Sequence, residues 1–419
     1  MHPVVSILFS DSDRDSLESF HMAKYLCGIL AATGHAAVHM VPLSDKQVTL
    51  TPNASRIKFY PLLNVVDKAR VLTVPVSDYD FTTSAVLPAS DVIIVCVNRT
   101  DSEEAWKRIG ELKFDDDHKA AIFCLQRGLL NFAHVTDAAE ALGKTHAANQ
   151  NVVVLSGVAA FSVIPHPETY GMFACSGRGD PTIVLERLTK EQEEVANGPC
   201  NLLEYSGLRT LYRKNLTPYA WGVVVTEAAH WLNMLEGGAQ RPMIRGDHLS
   251  RTTLACMVRE MGIVLSKASR ASSWEPKMDA SSQLGSVWAL EMLYACPTWM
   301  VRPFMYLADL TIDQPYPSSA LIDILAGRRS TALSVLSETL DLASRLKVEV
   351  PVCTHVQQCL KELEDIPGTS VTRTYRTDLI DKVYRRGREP ASVAEFRGYA
   401  YRVAAMISFA LLFYVLFLH

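Results

Sequence analysis

At 419 residues the chain has room for two domains with buried cores. Its 48% hydrophobic and 21% charged content describes a globular protein and excludes a disordered one. A net charge of −4 gives no basis for nucleic acid as a partner. The nine cysteines stand singly, without the paired spacing of disulfide frameworks or zinc sites, so no metal is expected.

Val4-Val5-Ser6-Ile7-Leu8-Phe9 is a short apolar run of the kind that forms a buried strand. A helix is predicted over 25–33, closed by Gly34, and a parallel strand over 36–41. This order opens a dinucleotide-binding unit. Such a unit carries G-x-G-x-x-G in its first turn, because glycine lets the backbone turn tightly and approach the pyrophosphate. Here the turn is Ser10-Asp11-Ser12-Asp13-Arg14-Asp15-Ser16, with no glycine. Asp11, Asp13 and Asp15 would repel the two phosphates. A retained scaffold with a lost cofactor site is therefore expected. The start of the chain lacks a charged segment followed by an apolar one, so no secretory signal is expected.

Further strands are predicted over 71–74, 92–97, 121–125, 152–155 and 183–185. Several are continuous Val/Ile runs, as in a sheet covered on both faces. Asp115-Asp116-Asp117-His118 reads as a solvated loop rather than a cation site. Gly177-Arg178-Gly179-Asp180-Pro181 lies between two predicted strands and reads as a hairpin or turn rather than a phosphate cradle. The polar segment 191–200 contains Gly198-Pro199 and is predicted as a boundary, separating an α/β domain (1–195) from a helical domain (196–365). From 208 to 364 nearly every residue reads as helix, with breaks at Gly237-Gly238, 272–276 and 314–317. His230, beside Trp231 on an apolar helix, reads as packed rather than catalytic. An α/β half followed by an all-α half is a common dehydrogenase layout.

Residues 366–402 carry eight basic and four acidic side chains, a net of +4 that leaves −8 for the rest of the chain. Residues 403–418 carry no charge. As a helix this run is about 24 Å long, against a hydrocarbon core of about 30 Å. It has no polar face, and Tyr401 and Arg402 stand at its start as interface anchors. A single C-terminal transmembrane anchor over 403–418 is expected, with 366–402 as a basic juxtamembrane segment and the lipid bilayer as partner. A buried core helix or an oligomer contact is the other reading of this run. The short span and basic flank point to a mitochondrial membrane.

Local patterns recur in a telling order. Cys27-Gly28-Ile29-Leu30-Ala31-Ala32-Thr33-Gly34-His35-Ala36 runs from helix into strand. Ser90-Asp91-Val92-Ile93-Ile94-Val95-Cys96-Val97 follows, and then Leu125-Gln126-Arg127-Gly128-Leu129-Leu130-Asn131. In the helical half come Leu232-Asn233-Met234-Leu235, Glu260 and Ser318-Ser319-Ala320-Leu321-Ile322-Asp323. Gly327-Arg328-Arg329-Ser330-Thr331 and Leu346-Lys347-Val348-Glu349-Val350-Pro351 complete the series. This series resembles the ketopantoate reductase (2-dehydropantoate 2-reductase) family over about residues 1–364. The matching family features are a first helix running into A-G-H-x-V, an A-D-hydrophobic strand, an L-Q-N-G-x-x-N turn and a G-V-x-x-P ending. The resemblance implies a Rossmann-like α/β domain plus an all-α domain of the 6-phosphogluconate-dehydrogenase type. It also implies reduction of a 2-oxo acid by NADPH.

Residue by residue, the same resemblance implies losses. The family's cofactor loop falls on Ser10 to Ser16, and its turn asparagine on Arg127. Its catalytic lysine falls on Val223, Val224 or Val225; Lys214 is the nearest lysine and would need a shifted register. Its substrate-binding asparagine falls on Ala229 and its acidic residue on Thr331. Asn233, Ser319 and Asp323 remain. Asn233 and Ser319 read either as remnants of a substrate site or as helix packing. Arg99 and Arg127, at the former cofactor crevice, are the basic groups that could hold another anion or a partner's carboxylate.

Reduction of a 2-oxo acid needs a proton donor at the developing alkoxide and a nicotinamide held by its phosphates. Valine supplies neither. A pseudoenzyme without cofactor is expected, serving as a membrane-anchored accessory subunit of a mitochondrial complex with other protein subunits. Two alternatives stay open. One is an active NADP-dependent reductase that brings Lys214 into the cleft. The other is a binding module that senses a nucleotide or acid through Arg99 and Arg127.

Overall fold

The structure, a computed structural model, describes residues 2–10, 17–43, 56–61, 72–75, 87–112, 114, 117–126, 151–165, 172–176, 181–236, 248–269, 319–365 and 401. The chain opens with β1 (Val4–Phe9), α1 (Glu18–Ala32) and β2 (Ala37–Pro42), followed by β3 (Arg56–Pro61) and β4 (Leu72–Pro75). Next come β5 (Val92–Val95), α2 (Ser102–Gly110), β6 (Ala120–Cys124), β7 (Val152–Ala159), β8 (Ser162–Pro165), β9 (Met172–Ser176) and β10 (Thr182–Glu186). The remainder is α3 (Lys190–Tyr205), β11 (Arg209–Arg213), α4 (Thr217–Glu236), α5 (His248–Ser269), α6 (Ser319–Leu325), α7 (Thr331–Arg345) and α8 (Pro351–Glu364).

Seven strands form the main sheet in the order β11-β10-β7-β6-β5-β1-β2. The β7–β10 pair is antiparallel and the others are parallel. Side chains alternate between two cores, as strand geometry requires. Val5, Ile7, Phe9, Ile94 and Phe123 pack with Met22, Leu26 and Leu30 of α1 and Leu203 of α3. Leu8, Ile93, Val95 and Ile122 face the other way, onto Ala105 and Ile109 of α2. Both faces are covered, which is why these strands read as unbroken apolar runs.

A second sheet, in the order β4-β3-β9-β8, was not legible in the sequence beyond β4. Arg56-Ile57-Lys58-Phe59-Tyr60-Pro61 and Ser162-Val163-Ile164-Pro165 are short, and they carry cations or proline. Their strand character comes from pairing with each other's neighbours, not from local pattern. The same holds for β11, Arg209-Thr210-Leu211-Tyr212-Arg213, in a stretch expected to be helical.

Three further expectations are corrected. The first helix begins at Glu18, seven residues before the predicted start, because polar His21 and Lys24 are buried rather than solvated. The predicted break at 191–200 lies within α3. Thr189 caps that helix reciprocally with Gln192: the Gln192 N–H donates to Thr189 Oγ1 (3.3 Å) and the Thr189 N–H to Gln192 Oε1 (2.9 Å). Pro199 stays in the helix because Val195, Ala196, Cys200, Leu202 and Leu203 form a buried stripe that outweighs the lost bond. The main sheet continues past residue 195 through β11. The 177–181 segment joins β9 of the small sheet to β10 of the main sheet, so it does not close a hairpin. Residues 177–180 themselves lie outside the described residues.

The helical half has its own core, where Trp231 and Leu232 of α4 meet Met257 and Met261 of α5, Leu336 of α7 and Val356 of α8. Among the described residues no helix is long and apolar enough to cross a membrane. The anchor expected over 403–418 and the basic segment 366–402 lie outside the described residues, apart from Tyr401.

Candidate functional site

The chain leaves β1 for β2 on one side and returns to β5 on the other. The crevice beyond the carboxyl ends of β1 and β5 is thus the switch point where α/β sheets bind ligands. Ser10, buried at the end of β1, stitches this crevice together. Its N–H donates to Ser19 Oγ in the first turn of α1 (2.9 Å), and its Oγ accepts the Asn98 N–H beyond β5 (2.7 Å). One strand further on, Gln126 Nε2 donates to Ser102 Oγ at the start of α2 (2.7 Å). Cys124 Sγ donates to Gln126 Oε1 (3.4 Å). Asp11, Asp13, Asp15 and Arg127 lie outside the described residues. Arg99 opens a short 3-10 turn, Arg99–Asp101, and its side chain is likewise outside them.

The start of α1 is the end at which a Rossmann unit holds pyrophosphate, because its first N–H groups are unsatisfied and carry partial positive charge. Here residues 10–17 connect β1 to α1, eight residues where two to six are usual. Leu17, at the N-cap, offers no side-chain acceptor. Its own N–H donates to Oδ1 of Asp323 on α6 (3.3 Å). Arg328 Nε donates to the same oxygen (2.9 Å). The corner between α6 and α7 is a Schellman motif in which the Gly327 N–H bonds to Ile324 O and the Arg328 N–H to Asp323 O. Gly327, with φ of +73°, supplies the left-handed residue that turns Arg328 back onto Asp323.

A second contact crosses beside the first. Thr331 Oγ1 at the start of α7 donates to Glu18 Oε2 in the first turn of α1 (2.5 Å). One turn further along α1, His21 is buried, and its pKa is pushed down to about 3 by burial, then by Lys24 and Arg328. Burial lowers Lys24 to about 8, and its ammonium lies 4.4 Å from the centre of the Phe20 ring. The start of α1 thus meets two carboxylates, Asp323 and Glu18, and the Arg328 guanidinium; the loop 11–16 that would approach a pyrophosphate lies outside the described residues.

On the helical side, Val225, Ala229 and Asn233 follow one another at four-residue spacing on α4, and all three are buried. Val224, Val225 and Ala229 belong to the apolar core with Leu254, Met257 and Leu336. Val223 faces the sheet, with Val158, Val184, Leu216 and Ala220. Lys214 is exposed on the connection from β11 to α4. His230 is half-buried. Ser319 begins α6, and its side chain is outside the described residues.

The structure thus brings Ser10, Asp323 and Thr331 to one place and adds Glu18, His21, Lys24 and Arg328. The signal for Glu18, His21 and Lys24 was present but indirect: polar residues at positions an α1 extended to residue 18 would bury. Among the described residues no group of three His, Cys, Asp or Glu side chains is arranged to hold a metal ion. Cys27, Cys96, Cys124, Cys200, Cys256, Cys353 and Cys359 are buried and form no disulfide among the described residues.

No protein-family profile and no curated protein matches the chain. Solved structures do. A PanE/ApbA family ketopantoate reductase from Ralstonia eutropha JMP134 superposes with a TM-score of 0.55 at 17% identity, covering 86% of this chain and 98% of that one. A 2-dehydropantoate 2-reductase from Geobacter metallireducens GS-15 gives 0.55 at 17% identity, over 85% and 99%. A D-mandelate dehydrogenase, solved with NADH and anilino(oxo)acetate, gives 0.55 at 13% identity, over 86% and 98%. The chain has the fold of the ketopantoate reductases: a Rossmann-like sheet followed by a helical half.

Proposed function

We propose that this chain keeps the reductase fold without reductase chemistry. It serves as a pseudoenzyme, a structural or accessory subunit of a membrane protein complex, held by residues 403–418 in a mitochondrial membrane. One observation carries the chemical part of this reading. The face of α4 that would bear the proton donor is Val225, Ala229 and Asn233, sealed into the helical core. Hydride delivery to a 2-oxo acid leaves an alkoxide that must be protonated, and valine has no proton to give. The turn after β1 adds a second obstacle, since it has no glycine and its Asp11, Asp13 and Asp15 disfavour the dinucleotide that would carry the hydride. Lys214, the donor that an active NADP-dependent reductase would need, points to no such role from an exposed connection.

The test uses the full chain in mild detergent. NADPH and NADH are titrated to millimolar levels by calorimetry, and 2-oxo acids are offered with either cofactor. No turnover is expected, together with co-purification of other subunits that is lost when residues 403–418 are deleted. Turnover abolished by Lys214→Ala would overturn the reading in favour of the active reductase.

A further inference from the structure

We propose that the corner between α7 and α8, with the outer stripe of α5 beside it, is a docking face for an anionic bilayer surface. Lys267, Arg345 and Lys347 meet the lipid phosphates, and Ile263 enters the layer between them. This rests on the reading above, in which residues 403–418 hold the chain in a membrane, and it names the face that the body turns to that membrane.

Four observations carry the proposal. First, exposed cations gather there. Lys267 Nζ donates to Lys347 O (3.4 Å), which sets that ammonium on the corner that Arg345 and Lys347 form. Second, none of these cations is in an ion pair among the described residues, and neither are Asp341 and Glu349, the exposed acids that flank the corner in sequence. Third, Ile263 is 48% exposed one turn before Lys267, on the same face of α5. An aliphatic side chain beside cations suits a surface where headgroups and the first acyl carbons are met together. Fourth, helix dipoles do not account for the whole set. Lys267 and Arg345 stand in the last turns of α5 and α7, where a cation complements the dipole. Lys347 lies past the end of α7 with φ of +54°, and among the described residues it alone takes positive φ without being glycine. Glycine fills that position without strain, so a lysine there costs conformational energy and adds a further cation to the corner.

This is the chemistry of a surface contact. Lysine ammonium groups are compact charges on flexible stems, suited to phosphates that move, whereas a single fixed anion is best held by the planar fork of arginine. Near an anionic bilayer each such cation strengthens attachment by about fivefold. A free phosphate offers nothing to Ile263, and the acyl carbons of a bilayer do.

The experiment reconstitutes the full chain into vesicles of phosphatidylcholine, alone or with about one-third phosphatidylserine, and acylates its lysines with acetic anhydride. Peptide mass spectrometry reads each lysine, and Lys214, exposed on the connection from β11 to α4, is the control. Lys267 and Lys347 should react at least about threefold more slowly in the anionic vesicles, Lys214 equally in both, and high salt should remove the difference. Ile263→Ser and Arg345→Glu should each cut the protection of Lys267 by at least about half. Equal reactivity of Lys267 and Lys347 in the two kinds of vesicle overturns the docking face, and so does equal protection of Lys214. Protection that inorganic phosphate reproduces in phosphatidylcholine vesicles would make the corner a free-anion site and overturn it too. A chain that phosphatidylcholine vesicles do not retain overturns the anchor instead. The face is then read from binding to the anionic vesicles alone, which Arg345→Glu must weaken by about fivefold for the proposal to stand.

Discussion

Glu260 of α5 places both carboxylate oxygens on the start of α8: Oε1 accepts the Val352 N–H and Oε2 the Cys353 N–H, each at 2.9 Å. Pro351 opens that helix, has no N–H to satisfy and presets the first turn. Val350 cannot cap. The cap therefore arrives from another helix and joins α5 to α8. Burial raises the Glu260 carboxyl pKa, and the two N–H bonds pull it partly back. Glu260→Ala should cost about 2–4 kcal/mol, because two buried donors lose their acceptor. Glu260→Gln keeps one oxygen and should cost about half as much. Urea unfolding of the full chain measures both; a Glu260→Gln variant as stable as wild type would show that the carboxylate acts only by filling space.

His21 gives the molecule an acid-sensitive joint. Its ring is held neutral, with a pKa near 3 in place of the ordinary 6.5. Above pH 6.5 the ring is neutral in folded and unfolded chains alike, and the full stability is present. As pH falls from 6.5 towards 3, the unfolded chain takes a proton that the folded one refuses. Stability then drops by roughly 1.4 kcal/mol per pH unit from this group. Lys24, at about 8, changes charge between pH 8 and 10.5 and adds no slope below 7. His21→Gln should remove the His21 slope. The stability gap between wild type and variant should shift by about 2–3 kcal/mol between pH 6.5 and 4.5. Parallel curves would place the acid sensitivity elsewhere.

Gly157, in β7, is a steric requirement. A Cβ there would stand 2.6 Å from Leu125 Cδ2 and 3.0 Å from Leu185 Cδ2. Gly157→Ala should destabilise by about 1–3 kcal/mol through overpacking. Leu125→Ala in the same chain should recover part of that loss, because it removes the nearer methyl group. The double-mutant cycle is the check, and strict additivity of the two losses would show that the clash is relieved by backbone movement instead.

Val225 tests whether reductase chemistry can be restored by a single residue. It is fully buried among apolar side chains. Val225→Lys places an unpaired ammonium there and should cost more than about 3 kcal/mol. Val225→Met, which adds bulk without charge, should cost about 1–3 kcal/mol. NADPH oxidation with 2-oxo acids should stay at background in both. Activity in the lysine variant would mean that α4 faces an open cleft.

Much of the α/β half was legible because burial writes itself into strands that are covered on both faces. Val4 to Phe9 and Val92 to Val95 contain no charged residue, and they sit where the sequence placed them. The second sheet was not legible, since Arg56, Lys58, Pro61 and Pro165 hide its strands and pairing across more than a hundred residues creates them. The Gly198-Pro199 pair misled for the opposite reason. It is a strong local signal, overruled by the stripe that α3 packs against the sheet.

The candidate site divides in the same way. That no glycine stands in the turn after β1, and that residues 223–225 are all valine, are properties of residue type, and the sequence alone determines them. Which residues meet at the start of α1 is a property of position. Asp323 meets Leu17, and Thr331 meets Glu18, across more than 300 residues of chain. No periodicity or spacing encodes such a meeting. Only the packing of the helical half against the sheet brings a carboxylate to the start of α1, whose N-cap residue has no side-chain cap.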